Sequence, residues 1–72
     1  MNLVEAKALA VGEKFRGTEW NGGIPKVGIF VVAGALEGAV WEKYVAAVTE
    51  EEFEKGFDRF THIFPIQDME AL

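Results

Sequence analysis

Nucleophiles, acid–base groups and metal ligands are the raw material of catalysis, and this sequence is poor in all three. It contains no serine and no cysteine, so only Thr18, Thr49 and Thr61 carry an aliphatic hydroxyl, and neither a Ser–His–Asp nor a Cys–His arrangement can be assembled. The single histidine, His62, cannot make a histidine-based metal cluster, and no spacing of acids matches a calcium loop. The glycines, at 12, 17, 22, 23, 28, 34, 38 and 56, fit neither a phosphate loop nor a dinucleotide fingerprint. Two acid–base candidates remain. His62 stands between an aromatic segment and an apolar one, and would serve either as a switch or as a plain histidine tied to backbone. Glu42 lies between Trp41 and Tyr44, where a carboxylate held among aromatics could move a proton, or could simply be solvated near a sheet edge. The expectation is a non-catalytic protein with no cofactor and no metal.

Contact chemistry is better represented. Trp20 sits beside Asn21-Gly22, and an aromatic at a turn offers a partner a large, rigid surface at low entropy cost. Trp41 and Tyr44 form a second aromatic pair, and Glu51, Glu54 and Asp58 supply an acidic rim on one helix face. These six residues are the expected partner-binding set.

The elements that must carry them can be read in outline. Thr49 to Phe60 opens with a capping box, Thr49 with Glu52 three residues on, and Glu50, Glu51 and Glu52 occupy the first turn where the helix dipole favours carboxylates. Helical spacing places Phe53, Phe57 and Phe60 on one face, with Gly56 at its edge and Glu51, Glu54, Lys55 and Asp58 opposite; the expectation is a buried aromatic stripe. Asn2 can cap a first helix over Leu3–Val11, stopped by Gly12. Lys14 to Trp20 reads as a strand that reverses at Asn21-Gly22-Gly23. Ile24-Pro25 begins the next strand, and Val27 to Ala33, apolar except for Gly28, reads as a central strand wanting cover on both faces. Gly34 to Gly38 is read as a turn. Ala39 to Val48 fits a strand delivering the chain to Thr49, although Trp41, Tyr44, Val45 and Val48 also match helical spacing; strand is preferred. Pro65 argues for a short strand over His62–Ile66, followed by a loose tail from about Gln67.

The expected fold is therefore α+β: one small domain, an antiparallel meander of three to four strands packed on one or two helices, in the order α-β-β-β-α-β. At 72 residues such a domain buries only about 60 per cent of its unfolded surface, yet half of its residues are hydrophobic and nine are aromatic. Some of that apolar surface is expected to be covered by another chain, a homodimer being the simplest case. The longest uncharged run, Val27 to Leu36, is too short to span a bilayer, and the start, MNLVEAK, lacks the pattern of a secretory signal, so a cytoplasmic protein without a membrane partner is expected. Net charge is −5 and uneven: residues 1 to 26 hold four bases and three acids, residues 27 to 72 three bases and nine acids. That disfavours nucleic acid and favours a basic protein partner.

The opening run, Glu5-Ala6 with Leu9, Gly12 and Lys14 and then Trp20-Asn21-Gly22, resembles the start of small phage proteins that sequester the signalling nucleotide of the Thoeris defence system. The resemblance covers less than a third of the chain, the remainder departs from that pattern, and no site residue is carried over from it. Two functions are expected from these observations. The first is a small acidic regulator or inhibitor of a larger partner, of the kind phages and mobile elements encode. The alternative is a homo-oligomer with an intersubunit pocket for a nucleotide or metabolite, lined by Trp20, Trp41 and Tyr44.

Overall fold

The computed structural model describes the chain apart from Ala35, Glu37, Gly38 and Asp58 and the side chains of Leu3 and Ala39. The fold is α+β and mostly sheet: five antiparallel strands in the order β4-β3-β2-β1-β5, with two short helices. In chain order these are α1 (Leu3–Lys7), β1 (Lys14–Asn21), β2 (Ile24–Gly34), β3 (Tyr44–Thr49), α2 (Glu50–Glu54), β4 (His62–Pro65) and β5 (Met69–Glu70). The strand over Val27 to Ala33 is indeed the middle one, as its double-sided apolarity implied.

The β1–β2 hairpin follows from its turn. Asn21 pairs with Ile24, and Gly22 and Gly23 both have positive φ, 58° and 84°, which a two-residue hairpin turn matched to the strand twist requires. The expected meander ends there in one respect. The tail is not loose: Ile66–Asp68 forms a 3₁₀ turn, and β5 pairs with β1 through Arg16–Glu70 and Gly17–Met69, making a fifth strand at the far edge of the sheet.

This closure dictates the shape. In a flat sheet the edge strands β4 and β5 would lie four spacings apart, about 19 Å. The chain from Pro65 to Met69 is only four residues, with a reach of at most about 14 Å. The sheet must therefore curl, and it does: Phe15 of β1 and Phe64 of β4, three spacings apart along the sheet, meet edge to face with ring centroids 5.5 Å apart. The concave face holds the core, Phe15, Phe30, Val32, Val45, Ala47, Phe64 and Met69, with Ala6 of α1 and the partly buried Met1 and Leu9 closing one opening. The N-terminal ammonium donates to the Met69 carbonyl at 2.8 Å.

Both helices are shorter than their sequence patterns suggest. In α1, Asn2 and Glu5 form a capping box, but the helix ends at Lys7 because the chain turns to feed β1: Gly12, with φ 95°, donates to the Val32 carbonyl at 2.9 Å. In α2 the Thr49–Glu52 capping box forms as expected, yet the helix stops after Glu54. Gly56, at φ 78°, donates to the Phe53 carbonyl and Phe57 to the Glu52 carbonyl, the paired bonds of a Schellman motif. The expected stripe of buried phenylalanines is overturned by that stop. Phe53, Phe57 and Phe60 are 41, 50 and 47 % exposed, and α2 buries no residue. The helix lies on the convex face instead, where Lys14, sharing the face of Val31, reaches Glu50 at 2.8 Å.

The segment before β3 also differs from expectation. Ala39–Trp41 is a 3₁₀ turn, Glu42 and Lys43 continue the turn, and the strand begins only at Tyr44. The preferred strand reading therefore holds for Tyr44 to Val48 and fails before it. The turn expected over Gly34 to Gly38 falls largely outside the described residues.

Candidate functional site

Among the described residues, backbone bonds close the curled sheet everywhere but along one line. Val32 accepts from Gly12 and donates to Glu13, which sets the phase of the β1–β2 ladder: along β2 every second residue from Val32 aims its polar groups at β1. Phase then requires Phe15, Gly17, Glu19 and Asn21 to aim theirs back at β2, leaving Arg16, Thr18 and Trp20 to aim outward. Strand β5 pairs only opposite Arg16 and Gly17, so the outer edge of β1 near Trp20 has no strand partner among the described residues. On β4, the bond from Ile66 to the Lys43 carbonyl fixes the opposite phase, so Ile63 aims outward and Pro65 offers no N–H at all.

Because the sheet curls, these two edges face each other across a hollow of about 250 Å³ lined by Glu19, Trp20, His62, Ile63 and Asp68, among others. Side chains stitch its concave side. His62 Nε2 lies 3.4 Å from Glu19 Oε2, an ion pair when the ring is protonated. His62 Nδ1 lies 2.9 Å from Thr61 Oγ1, and that hydroxyl donates to Glu52 Oε1 at 2.6 Å. Thr61 has one proton and gives it to Glu52, so its oxygen meets the imidazole as an acceptor and holds a proton on Nδ1. The imidazole packs on Phe30, ring centroids 5.0 Å apart.

Glu52 anchors the far end of this relay. The Thr49 backbone amide, at 2.9 Å, and next the Thr61 hydroxyl hold its carboxyl below the usual carboxylate range. On the convex face Glu50, by hydrogen bond and by charge, raises the Lys14 ammonium above the usual lysine value. The relay can orient His62 and tie the helix end to β4. Among the described residues it places no nucleophile beside the imidazole other than Thr61, whose hydroxyl is already committed to Glu52.

The expected contact residues are divided among separate places. Trp20 lies at the seam and on the arm of the hairpin, 58 % exposed, with Ile24 at 71 % and Val27 at 57 %. This arm projects because β3 ends at Thr49, opposite Phe30, while the β1–β2 ladder runs on to Asn21–Ile24. Trp41 and Tyr44 come together edge to face, centroids 5.5 Å apart. Tyr44 lines a different hollow, about 290 Å³, beneath α1 with Lys7, Leu9 and Val11. Glu51 is exposed and pairs with Lys55 at 3.0 Å, and Glu54 is exposed on α2. Asp58 is outside the described residues. Glu42 is exposed in the turn after Trp41, not on a strand face.

Sequence reasoning missed Glu19 and Asp68. The alternation of β1 does put Glu19 on the face of Phe15, which marks it as an acid turned toward the concave side. Among the described residues no helix is long and apolar enough to cross a membrane. No protein-family model matches the chain, and no curated protein or solved structure matches it.

Proposed function

We propose that the chain is a non-catalytic protein-interaction domain, a small acidic regulator or inhibitor of a larger cytoplasmic partner, and that the projecting arm of the β1–β2 hairpin is its contact element. The observation that carries this reading is the exposure of Trp20, Ile24 and Val27 together on an arm that runs beyond the end of β3, with no neighbouring strand there among the described residues. Pro25 stands opposite Trp20, and Val27 is the diagonal neighbour on the same face, so ring, proline and valine form one surface. Covering an apolar side chain of this kind contributes about 1.5–3 kcal/mol, and a tryptophan at the centre of a desolvated contact is the commonest anchor. The acidic balance of the chain adds steering toward a basic partner.

A photo-crosslinking amino acid placed at position 20 tests this, with the same probe at the exposed position 13 as control. One partner crosslinked at 20, not at 13, and lost on Val27→Glu is the expected result. Equal capture from both positions removes the reading.

A second reading keeps the homo-oligomer with an aromatic ligand pocket, and the Trp41–Tyr44 pair beside the hollow under α1 favours it. Self-association measured by sedimentation, together with a thermal shift against nucleotides and metabolites, would establish it in place of the first.

A further inference from the structure

We propose that the seam between β1 and β4 is a strand-addition site, and that its occupant is an extended peptide of a partner protein carrying a basic side chain opposite Glu19. This rests on reading the chain as a protein-interaction domain, and names how the partner is held.

Among the described residues the open strand edges are those of β5, only two residues long, of β2 along the projecting arm, of β4, and of β1 near Trp20. Pro25 removes one outward donor from the β2 edge, where Val27 keeps its own, and Pro65 removes one from β4; what sets the β1 edge apart is that it faces a second open edge, that of β4, across the hollow. The outer edge of β1 at Trp20 contains no proline, so its N–H and its carbonyl both aim into the seam. An incoming strand therefore finds a donor and an acceptor on β1 and a further pair at Ile63 on β4.

Alternation then assigns the side chains of the incoming strand. One set faces outward against Trp20, which is exposed, and the exposed Ile63, and should be apolar. The other set faces inward against Glu19, in a hollow that Asp68 also lines. Glu19 lies 3.4 Å from His62 Nε2, with both side chains partly exposed, so a lysine or arginine can reach the carboxylate without displacing buried structure. Main-chain bonds would supply affinity and the alternate side chains selectivity, as in other strand-addition complexes. A basic peptide is also what a chain of net charge −5 attracts.

The test titrates the ¹⁵N-labelled full chain with three synthetic hexapeptides: alternating Val-Lys, alternating Val-Glu, and Val-Lys methylated on alternate backbone nitrogens. The expected result is amide shifts confined to Thr18–Asn21 and His62–Phe64 with Val-Lys, binding at least tenfold weaker with Val-Glu, and none with the methylated peptide. Glu19→Gln, which keeps the fold, should shrink the Val-Lys preference to under threefold, and Trp20→Pro, which deletes the outward N–H, should abolish binding. Equal binding of the methylated peptide, shifts centred elsewhere, or seam shifts that follow protein concentration rather than peptide, the mark of a second copy on this edge, each overturn the proposal. If position 20 still crosslinks a partner while the peptides fail, strand addition alone is wrong; if both fail, the interaction reading falls with it.

Discussion

Gly17 and Phe64 occupy one space: a Cβ on Gly17 would lie 2.9 Å from the Phe64 ring, with Phe30 only slightly farther at 3.1 Å. The missing side chain on β1 is what lets a phenylalanine from β4 lie across the concave face and bring the sheet round. Phe64 cannot swing clear, since it is already packed against Phe15 and Phe30. Gly17→Ala should therefore destabilise the fold by about 1–3 kcal/mol, as overpacking of a filled core does. In a domain of this size each kcal/mol lowers the melting temperature by about 4–8 °C, which calorimetry or a circular dichroism melt reads directly.

Met69 and Phe57 reverse the ranking that composition suggests. Met69, in a segment whose sequence reads as a loose tail, is fully buried, whereas Phe57 is half exposed. Met69→Ala should cost about 2–5 kcal/mol, the range for a buried methionine truncated to alanine. Phe57→Ala should cost less than about 1 kcal/mol, as for surface changes. Urea melts of the two variants decide whether β5 is structural.

The helix start offers a third test. Thr49→Ala removes the acceptor for the Glu52 amide, and should destabilise by about 0.5–2 kcal/mol.

The pH dependence follows from Glu52 and Lys14. The folded chain holds the Glu52 proton more weakly than the unfolded chain, so the bonds from Thr49 and Thr61 add stability that is complete above the ordinary glutamate pKa. That contribution is lost as pH falls through the lower folded value. Glu52→Gln should flatten the stability profile between about pH 6 and about pH 3 when urea melts are compared with the parent. Lys14 acts in the opposite sense. Its folded value is raised, so the contribution of its pair with Glu50 is present below the ordinary lysine pKa and disappears as pH rises through the raised value. That pair is exposed, and its contribution should fade in high salt.

The imidazole tautomer is a further check on the relay. Nitrogen-detected NMR should find His62 carrying its proton on Nδ1 in the neutral form, and Thr61→Val, which removes the acceptor, should release that preference. A neutral ring protonated on Nε2 in the parent chain would contradict a relay that runs from the imidazole through Thr61 to Glu52.

The hairpin and the central strand are legible in the sequence because their signals are local: two glycines with positive φ between runs of strand-forming residues. The start of α2 is legible for the same reason, since Thr49 and Glu52 satisfy each other within one turn. Its end is not, because Gly56 fits the edge of an aromatic stripe as readily as a stop, and only its conformation makes it the stop. Strand β5 is two residues long, too short for any alternation to mark, and is defined wholly by its distant partner β1. At the seam, Trp20 can be picked out as an exposed aromatic beside a turn. The Glu19–His62 contact cannot, because it exists only once the sheet has curled to bring β1 against β4.

That curl gives the molecule a grain. Among the described residues the junctions β4–β3, β3–β2, β2–β1 and β1–β5 are ladders of main-chain bonds, and opening one means breaking several bonds at once. Along the line between Trp20 and Ile63 the holding is done by the packing of rings beneath, joined by one imidazole and one carboxylate only when the ring is protonated. Thermal fluctuation should split the wall there first, as wood splits along its length, and the amides of Trp20 and Ile63 should exchange with solvent while those on the β2–β3 boundary stay protected.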